Sequence, residues 1–197
     1  VVGGSFGKEA TVEQLPISKG LAGVSMRLEP GVMRELHWHA TAAEWAFVLS
    51  GRVRTTVVDP QGHGETNDFE PGDVWYFPRG HAHMLQCLGN EPCHFILIFD
   101  NGYFSEFGTF SISDWLGHVP KPLLAKNFGL PESSFDGFPK SEVYFARGKQ
   151  PPAVVFYNGV FGTGSQAGFH AVGSLHQLRQ NCPGRFLGPA SGGNFLL

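Results

Sequence analysis

Short segments of strand character, separated by turn residues at close intervals, occupy most of the chain between residues 22 and 99. In several of them apolar side chains alternate with small or charged ones, as at Val24, Met26 and Leu28, which is typical of a strand with one buried face. The predicted strands cover residues 22–28, 34–39, 44–49, 52–58, 74–77, 83–88 and 93–99. Such a series predicts an all-β sandwich or barrel.

Helical signals replace the strand pattern further along the chain. Ser111 stands three residues before Asp114, which is a helix-start signal. Residues 120–129 have proline near the start and glycine at the end, and this asymmetry predicts a short helix. Residues 131–135 predict one further helical turn. We expect this segment to pack on the barrel or on a neighbouring subunit.

The length of the chain, 197 residues, is that of one domain. We predict a single domain over residues 1–150, which begins with an extended arm at 1–20 and carries a helical extension from about residue 111. Residues 151–197 are rich in glycine and lack a clear periodicity, so we predict a loop-rich C-terminal tail there.

The composition argues against two classes of partner. The net charge of −3 gives no reason to expect nucleic acid or an anionic membrane surface. No apolar run approaches the roughly 18 residues that a membrane span needs. Residues 1–20 lack the basic start and apolar centre of a signal peptide. These features predict a soluble protein and leave open whether it is secreted or cytoplasmic.

The cysteines leave two interpretations open. Cys87 and Cys93 flank a probable turn at residues 89–92, so a disulfide across a hairpin and a pair of buried thiols are both compatible with the sequence. The third cysteine, Cys182, makes the number odd, which argues against a complete disulfide framework.

A cluster of metal-binding residue types is the strongest functional signal. His37 and His39 stand two apart on a predicted strand, so both imidazoles point to the same face. A short turn can bring Glu44 back to that face, and His83 opens a later strand after another tight turn. Two or more imidazoles with one carboxylate suit a divalent transition metal. We therefore predict a metal site formed by His37, His39, Glu44 and His83.

Other side chains near this cluster in sequence bear on its chemistry. Arg34 could hold a carboxylate through two parallel hydrogen bonds if it faces inward, or form a surface salt bridge if it faces outward. Glu106 lies in a loop bracketed by Gly102 and Gly108, which would let the loop swing; a buried Glu106 could donate a proton, whereas a solvated one would not. The aromatic residues predicted for the barrel interior are Trp38, Trp45, Trp75, Phe47 and Phe77.

The spacing of these residues resembles the two sequence motifs of the cupin superfamily, whose fold is a double-stranded β-helix or jelly-roll barrel. A closer resemblance is to oxalate decarboxylases, and specifically to the N-terminal cupin domain of that two-domain family. It is carried by Arg34-Glu-Leu-His-Trp-His39, Glu44-Trp45, Gly72-Asp-Val-Trp-Tyr-Phe-Pro78, Phe99-Asp-Asn-Gly-Tyr-Phe-Ser-Glu-Phe-Gly-Thr109 and Asp114-Trp-Leu116. It covers roughly residues 3–150.

This resemblance implies a function. It implies that the four candidate ligands hold Mn²⁺, that Arg34 binds oxalate, and that Glu106 donates a proton as oxalate is converted to formate and CO2 with dioxygen as a redox partner. The alternatives are an oxalate oxidase that produces CO2 and hydrogen peroxide, as germin-type cupins with one barrel exemplify, and a non-catalytic metal-binding cupin. The same ligands also accept other divalent metals.

The chain departs from that family in carrying only one pair of cupin motifs. A single barrel exposes strand edges and an apolar sheet face that a second domain would cover. We therefore expect a homo-oligomer.

Overall fold

The computed structural model describes residues 3–151 and the backbone of residues 172–173. Its strands form two sheets and are β1 Phe6–Ala10, β2 Ala22–Leu28, β3 Val32–Trp38, β4 Glu44–Ser50, β5 Arg52–Val58, β6 Gly64–Phe69, β7 Val74–Phe77, β8 Ala82–Leu88, β9 Cys93–Phe99, β10 Phe110–Ser111, β11 Phe145–Arg147 and β12 Val172–Gly173. The α-helices are α1 Ile112–His118 and α2 Lys121–Phe128, and single 3₁₀ turns lie at Glu106–Gly108 and Glu132–Phe135.

The two sheets form the predicted all-β cupin barrel. The strand order is β1-β2-β9-β4-β7-β12 in one sheet and β10-β3-β8-β5-β6 in the other, and every neighbouring pair is antiparallel. Alternate residues of each strand point between the sheets, where Met26, Leu28, Phe95 and other apolar side chains are fully buried. Burial of this apolar surface is the main contribution that holds the sheets together.

The helical signals are confirmed. The Ser111 side chain accepts a hydrogen bond from the backbone N–H of Asp114 and so caps α1. Gly129 ends α2 in the left-handed conformation, with φ of 67°, as a C-terminal glycine usually does. No helix among the described residues is long and apolar enough to cross a membrane.

A disulfide bond between Cys87 and Cys93 decides between the two interpretations of these cysteines. Their Cα atoms lie 5.6 Å apart, and the bond joins the end of β8 to the start of β9 across the turn. Cys182 lies outside the described residues.

Several strands were not predicted from the sequence. The arm at 1–20 is not simply extended, because β1 pairs along its whole length with β2. The sequence of β6, Gly64–Phe69, is almost entirely polar and carries no alternating apolar signal. The strand β11 returns from the helical extension to pair with the start of β3. The predicted loop-rich tail lies almost wholly outside the described residues.

The prediction for the interior aromatic residues was wrong for three of them. Trp75 and Phe77 are buried between the sheets. Trp45 and Phe47 alternate with the buried Ala46 and so lie on the outer face, where they are only half-buried. Trp38 is also half-buried.

The outer position of Trp38 attaches the helical extension to the barrel. Its ring stacks on Phe110 with 5.1 Å between centroids and meets Trp115 of α1 edge-on at 5.7 Å. The expectation that the helical extension packs on the barrel is thus met at α1.

Candidate metal centre

The barrel brings the four candidate metal ligands together. His37 lies near the end of β3 and is paired in register with His83 of β8, while His39 follows β3 and Glu44 begins β4. Each side chain offers one ligand atom, and these atoms all lie within 4.8 Å of one another. All four residues are buried. They come from β3 and the residues after it, from β4 and from β8, which belong to both sheets, so the folded barrel holds them in place before any metal binds.

A neighbouring oxygen atom holds Nδ1 of each histidine, and this contact orients the ring. His37 donates from Nδ1 to the carbonyl oxygen of Glu35 at 2.6 Å, and His83 donates from Nδ1 to that of His81 at 2.8 Å. His39 Nδ1 lies 3.1 Å from the Thr109 hydroxyl. A neutral imidazole with its proton on Nδ1 has its lone pair on Nε2, and such partners fix both the tautomer and the ring orientation.

The two oxygens of the Glu44 carboxylate have different partners. Its Oε1 accepts a hydrogen bond from the Trp75 indole at 2.8 Å. Its Oε2 lies 3.2 Å from His39 Nε2 and 3.3 Å from His83 Nε2. Within the described part of the chain, His83 Nε2 has no hydrogen-bond partner although it is buried. A buried nitrogen of this kind, beside a carboxylate oxygen and two further imidazoles, fits a divalent ion.

The charge states of these groups suit a metal ion. Burial, together with the neighbouring charges of His83, Arg34 and His39, holds the pKa of His37 well below its usual range, so its imidazole is neutral. Burial alone would raise the pKa of Glu44, but the neighbouring His83 and His39 outweigh it and depress this pKa. An ionised carboxylate and a neutral imidazole are the forms that bind metals.

Arg34 points into the barrel because β3 is irregular. Arg34 lies three residues before His37, an odd offset that would place the two on opposite faces of a regular strand. The pairing with β8 shifts register between Arg34 and His37, as at a β-bulge. Both side chains are therefore buried, and Leu36 is the exposed residue between them. Of the two interpretations of Arg34, the inward one is correct.

Glu106 is buried beside Arg34. Its Oε1 accepts a hydrogen bond from Arg34 Nε at 3.0 Å and one from the Tyr144 hydroxyl at 3.2 Å. Its Oε2 has no hydrogen-bond partner among the described residues. The loop around it contacts His39 through the Phe104 ring, with 5.2 Å between centroids, and through Thr109. Glu106 is thus not a solvated loop residue.

The terminal nitrogens of the Arg34 guanidinium have no hydrogen-bond partner among the described residues, although both are buried. Nη1 lies 3.6 Å from Glu142 Oε1, beyond hydrogen-bonding distance. The guanidinium carbon lies 4.0 Å from the centre of the Tyr144 ring. Arg34 therefore has one nitrogen bound to Glu106 and two that remain available to a ligand.

The segment that packs behind Arg34, around Tyr144, was not predicted. Tyr144 has a left-handed backbone, with φ of 59°, which is unusual for a residue other than glycine. The carboxylate of Glu35 holds it there, because Glu35 Oε1 accepts hydrogen bonds from the backbone N–H groups of Val143 at 3.0 Å and Tyr144 at 2.6 Å. Burial and the neighbouring charge of Glu106 raise the pKa of Tyr144, so its hydroxyl stays protonated and donates to Glu106.

The family model for the cupin domain matches residues 2–134. The chain belongs to the cupin family. Oxalate decarboxylase OxdC of Bacillus subtilis is 46% identical to this cupin over 148 residues, which are 75% of this chain and 38% of the relative. A probable oxalate decarboxylase of Arthroderma benhamiae is 42% identical over 134 residues, which are 68% of this chain and 33% of the relative. The chain therefore spans less than half of the length of these curated relatives.

Solved structures give the same relationship. One solved structure is of a variant of oxalate decarboxylase OxdC from Bacillus subtilis in which a serine is replaced by alanine. It superposes on this cupin with a TM-score of 0.81 at 39% identity, and the match covers 90% of this chain and 46% of that chain. A structure of the same Bacillus subtilis protein, studied for its Mn(II) centres, covers 79% of this cupin with a TM-score of 0.74 at 43% identity, and 42% of that chain is covered. The predicted resemblance to oxalate decarboxylases is confirmed.

Proposed function

We propose that this cupin binds Mn²⁺ through His37, His39, Glu44 and His83 and converts oxalate to formate and CO2. The donor set supports the metal, since three nitrogens and one carboxylate oxygen converge at a buried point. The similar oxalate decarboxylase of Bacillus subtilis, with its Mn(II) centres, supports the choice of metal and substrate. The bound ion would supply redox and Lewis-acid chemistry, with dioxygen as the redox partner.

The observation that carries the proposal is the incomplete hydrogen bonding of the buried Arg34 guanidinium. Its Nη1 and Nη2 atoms are buried without a hydrogen-bond partner among the described residues. A buried donor left unpaired costs free energy, which an incoming carboxylate recovers. The planar guanidinium presents N–H groups that match a carboxylate. Oxalate could therefore place one carboxylate on Arg34 and direct the other towards the candidate metal ligands.

Glu106 is the proposed proton donor. Decarboxylation breaks the carbon–carbon bond of the oxalate dianion and needs one proton on the carbon that becomes formate. Glu106 stays on the Nε side of Arg34, which leaves the terminal nitrogens to the substrate. Its unpaired Oε2 atom is the position from which a proton can be delivered. Without that proton, oxidation of oxalate to CO2 with reduction of dioxygen to hydrogen peroxide would compete.

The test is to load the protein with Mn²⁺ and to quantify products from oxalate under air. Formate and CO2 in equal amounts are expected. Hydrogen peroxide with CO2 and little formate would assign the chain as an oxalate oxidase. Bound manganese without turnover of oxalate would assign it as a non-catalytic metal-binding cupin.

Replacement of Arg34 by lysine is expected to lower kcat/KM for oxalate by about tenfold to hundredfold, the loss that corresponds to one charge-assisted hydrogen bond. Lysine keeps the positive charge but has no planar fork for a carboxylate. Steady-state assays of formate measure the effect. Arg52→Lys is the control, because Arg52 forms an exposed ion pair with Asp68. Equal kinetics for wild type, Arg34→Lys and Arg34→Ala would contradict the role of Arg34.

We also propose that the chain forms a homodimer or a larger homo-oligomer. Large apolar side chains are exposed on the helical extension, including Trp115, Leu123 and Phe128. Surfaces of this kind are commonly covered by another subunit. Light scattering at micromolar concentration is expected to give at least twice the mass of one chain. A strictly monomeric mass would contradict this proposal.

A further inference from the structure

We infer that Glu9, on the edge strand β1, is a positioning residue that holds the Glu106 loop against the site. This inference rests on the proposed function of Glu106. The carboxylate of Glu9 accepts a hydrogen bond from the backbone N–H of Glu106 at 2.8 Å. The two residues are 97 positions apart in the sequence, so the contact depends on the folding of the N-terminal arm onto the barrel.

The contact completes the start of the 3₁₀ turn at Glu106–Gly108. The first N–H groups of a helical turn have no partner inside the turn and need an acceptor from elsewhere. Ser105 occupies the position whose side chain would usually supply it, but within the described part of the structure this side chain makes no capping hydrogen bond. Glu9 provides the missing acceptor.

The same strand also makes room for the side-chain partner of Glu106. A Cβ atom at Gly7 would lie 2.5 Å from the Tyr144 hydroxyl oxygen, so only glycine leaves space for this hydroxyl. The Tyr144 hydroxyl donates a hydrogen bond to Glu106 Oε1. Gly7 and Glu9 are two residues apart on β1. One strand therefore supports Glu106 both through its backbone and through the tyrosine bound to its carboxylate.

The arm also fixes the start of the loop. Val12 donates a backbone hydrogen bond to the carbonyl oxygen of Gly102 at 2.9 Å, and Gly102 donates to that of Lys19 at 3.0 Å. A Cβ atom at Gly102 would collide with the backbone of Ser18. Gly102 is therefore needed for close packing against the arm, and the interpretation of it as a point of free rotation is wrong. With the start of the loop held, Glu9 controls where Glu106 itself lies.

The consequence concerns the choice between products. A carboxylic acid that must protonate a short-lived carbon species has to be in place when CO2 leaves. Without Glu9, Glu106 itself keeps its side-chain contacts with Arg34 and Tyr144 but loses the acceptor of its backbone N–H, and it spends more time away from the site. Proton transfer then becomes slower relative to oxidation of the substrate, and hydrogen peroxide increases at the expense of formate.

The experiment compares Glu9→Ala, Glu9→Gln and the control Glu13→Ala in the manganese-loaded protein. Glu13 is an exposed glutamate on the same arm. Glutamine keeps an oxygen that can accept the Glu106 N–H, so Glu9→Gln should restore the contact that alanine removes. Two quantities are measured: hydrogen–deuterium exchange of the Glu106 amide, and the ratio of peroxide to formate produced from oxalate.

We expect the Glu106 amide of Glu9→Ala to exchange about tenfold to hundredfold faster, as for the loss of one hydrogen bond to a charged group. The peroxide-to-formate ratio is expected to rise in parallel. Glu9→Gln, which keeps an acceptor without its charge, should lie between Glu9→Ala and the wild type, and Glu13→Ala should equal the wild type. If Glu9 only stabilised the fold, Glu9→Ala would speed amide exchange throughout β1 and β2 and lower the yields of formate and peroxide together. That result would overturn the inference.

Unchanged exchange at Glu106 in Glu9→Ala would also overturn it, as would faster exchange with an unchanged product ratio. If the wild-type protein makes neither product from oxalate, the proposed function fails. The exchange measurement still decides in that case whether Glu9 holds Glu106.

Discussion

Replacement of Glu106 by glutamine is expected to lower formate production from oxalate by roughly 10²–10⁴-fold, the usual contribution of a general acid. Glutamine has nearly the same shape and keeps an oxygen that can accept the hydrogen bond from Arg34 Nε. It has no acidic proton to transfer. Oxidation of oxalate does not need that proton on carbon, so hydrogen peroxide is expected to persist or to increase. Simultaneous assays of formate and peroxide measure both effects.

The matched comparison is Glu142→Gln. Among the described residues, Glu142 is the other carboxylic acid that forms an ion pair with Arg34. Burial raises its pKa, with a further contribution from nearby carboxylates that the charge of Arg34 opposes. It is therefore the competing candidate for the proton donor. Formate production is expected to survive in Glu142→Gln and to be lost in Glu106→Gln. The opposite result would transfer the proposed role to Glu142.

Removal of two candidate ligands in a His37→Ala, His39→Ala double variant is expected to abolish manganese binding and all turnover of oxalate. Each imidazole provides one nitrogen to the cluster, and the two ligand atoms that remain, one oxygen of Glu44 and one nitrogen of His83, form an incomplete site. Metal content after dialysis and the electron paramagnetic resonance signal of Mn²⁺ measure the loss.

The control for this loss is His118→Ala, which removes an exposed histidine on α1. That variant should bind as much manganese as the wild type. Full metal occupancy in the double variant would show that the ion binds elsewhere.

The metal cluster could be predicted from the sequence in part because of local geometry. His37 and His39 share a face through the two-residue period of a strand, and a short turn brings Glu44 back to that face. His83 joins them through the pairing of β8 with β3, which the resemblance to the cupin motifs indicated. The helix ends at Ser111 and Gly129 were also predictable from local geometry, since capping involves neighbouring residues.

The environment of Arg34 could not be predicted in the same way. Its inward orientation depends on a register shift between β3 and β8, which is a property of the pairing and not of either sequence. The role of Glu35 depends on backbone N–H groups that lie more than a hundred residues away in the chain. A buried carboxylate of this kind gives no sequence signal, because glutamate is seldom fully buried and is expected at the surface.

The edge strands were missed for a different physical reason. β1, β6 and β11 lie at or near sheet edges, where hydrogen bonds to one neighbour, rather than an apolar face, maintain the extended conformation. The contact between Glu9 and Glu106 was missed as a consequence, since an arm without assigned pairing has no assigned neighbours.

The return of the chain to β3 through Phe145–Arg147 sets a lower limit on the functional unit. The family match ends at residue 134, yet Tyr144 and the backbone groups bound by Glu35 lie beyond that point. A recombinant fragment cut at the family boundary would keep every candidate metal ligand and the contact between Arg34 and Glu106. It would lose the Tyr144 hydroxyl bound to Glu106 and the backbone N–H groups bound to Glu35. Such a fragment could bind metal while Glu106 and Glu35 lacked these contacts, so boundaries for expression or domain grafting should be placed after Arg147.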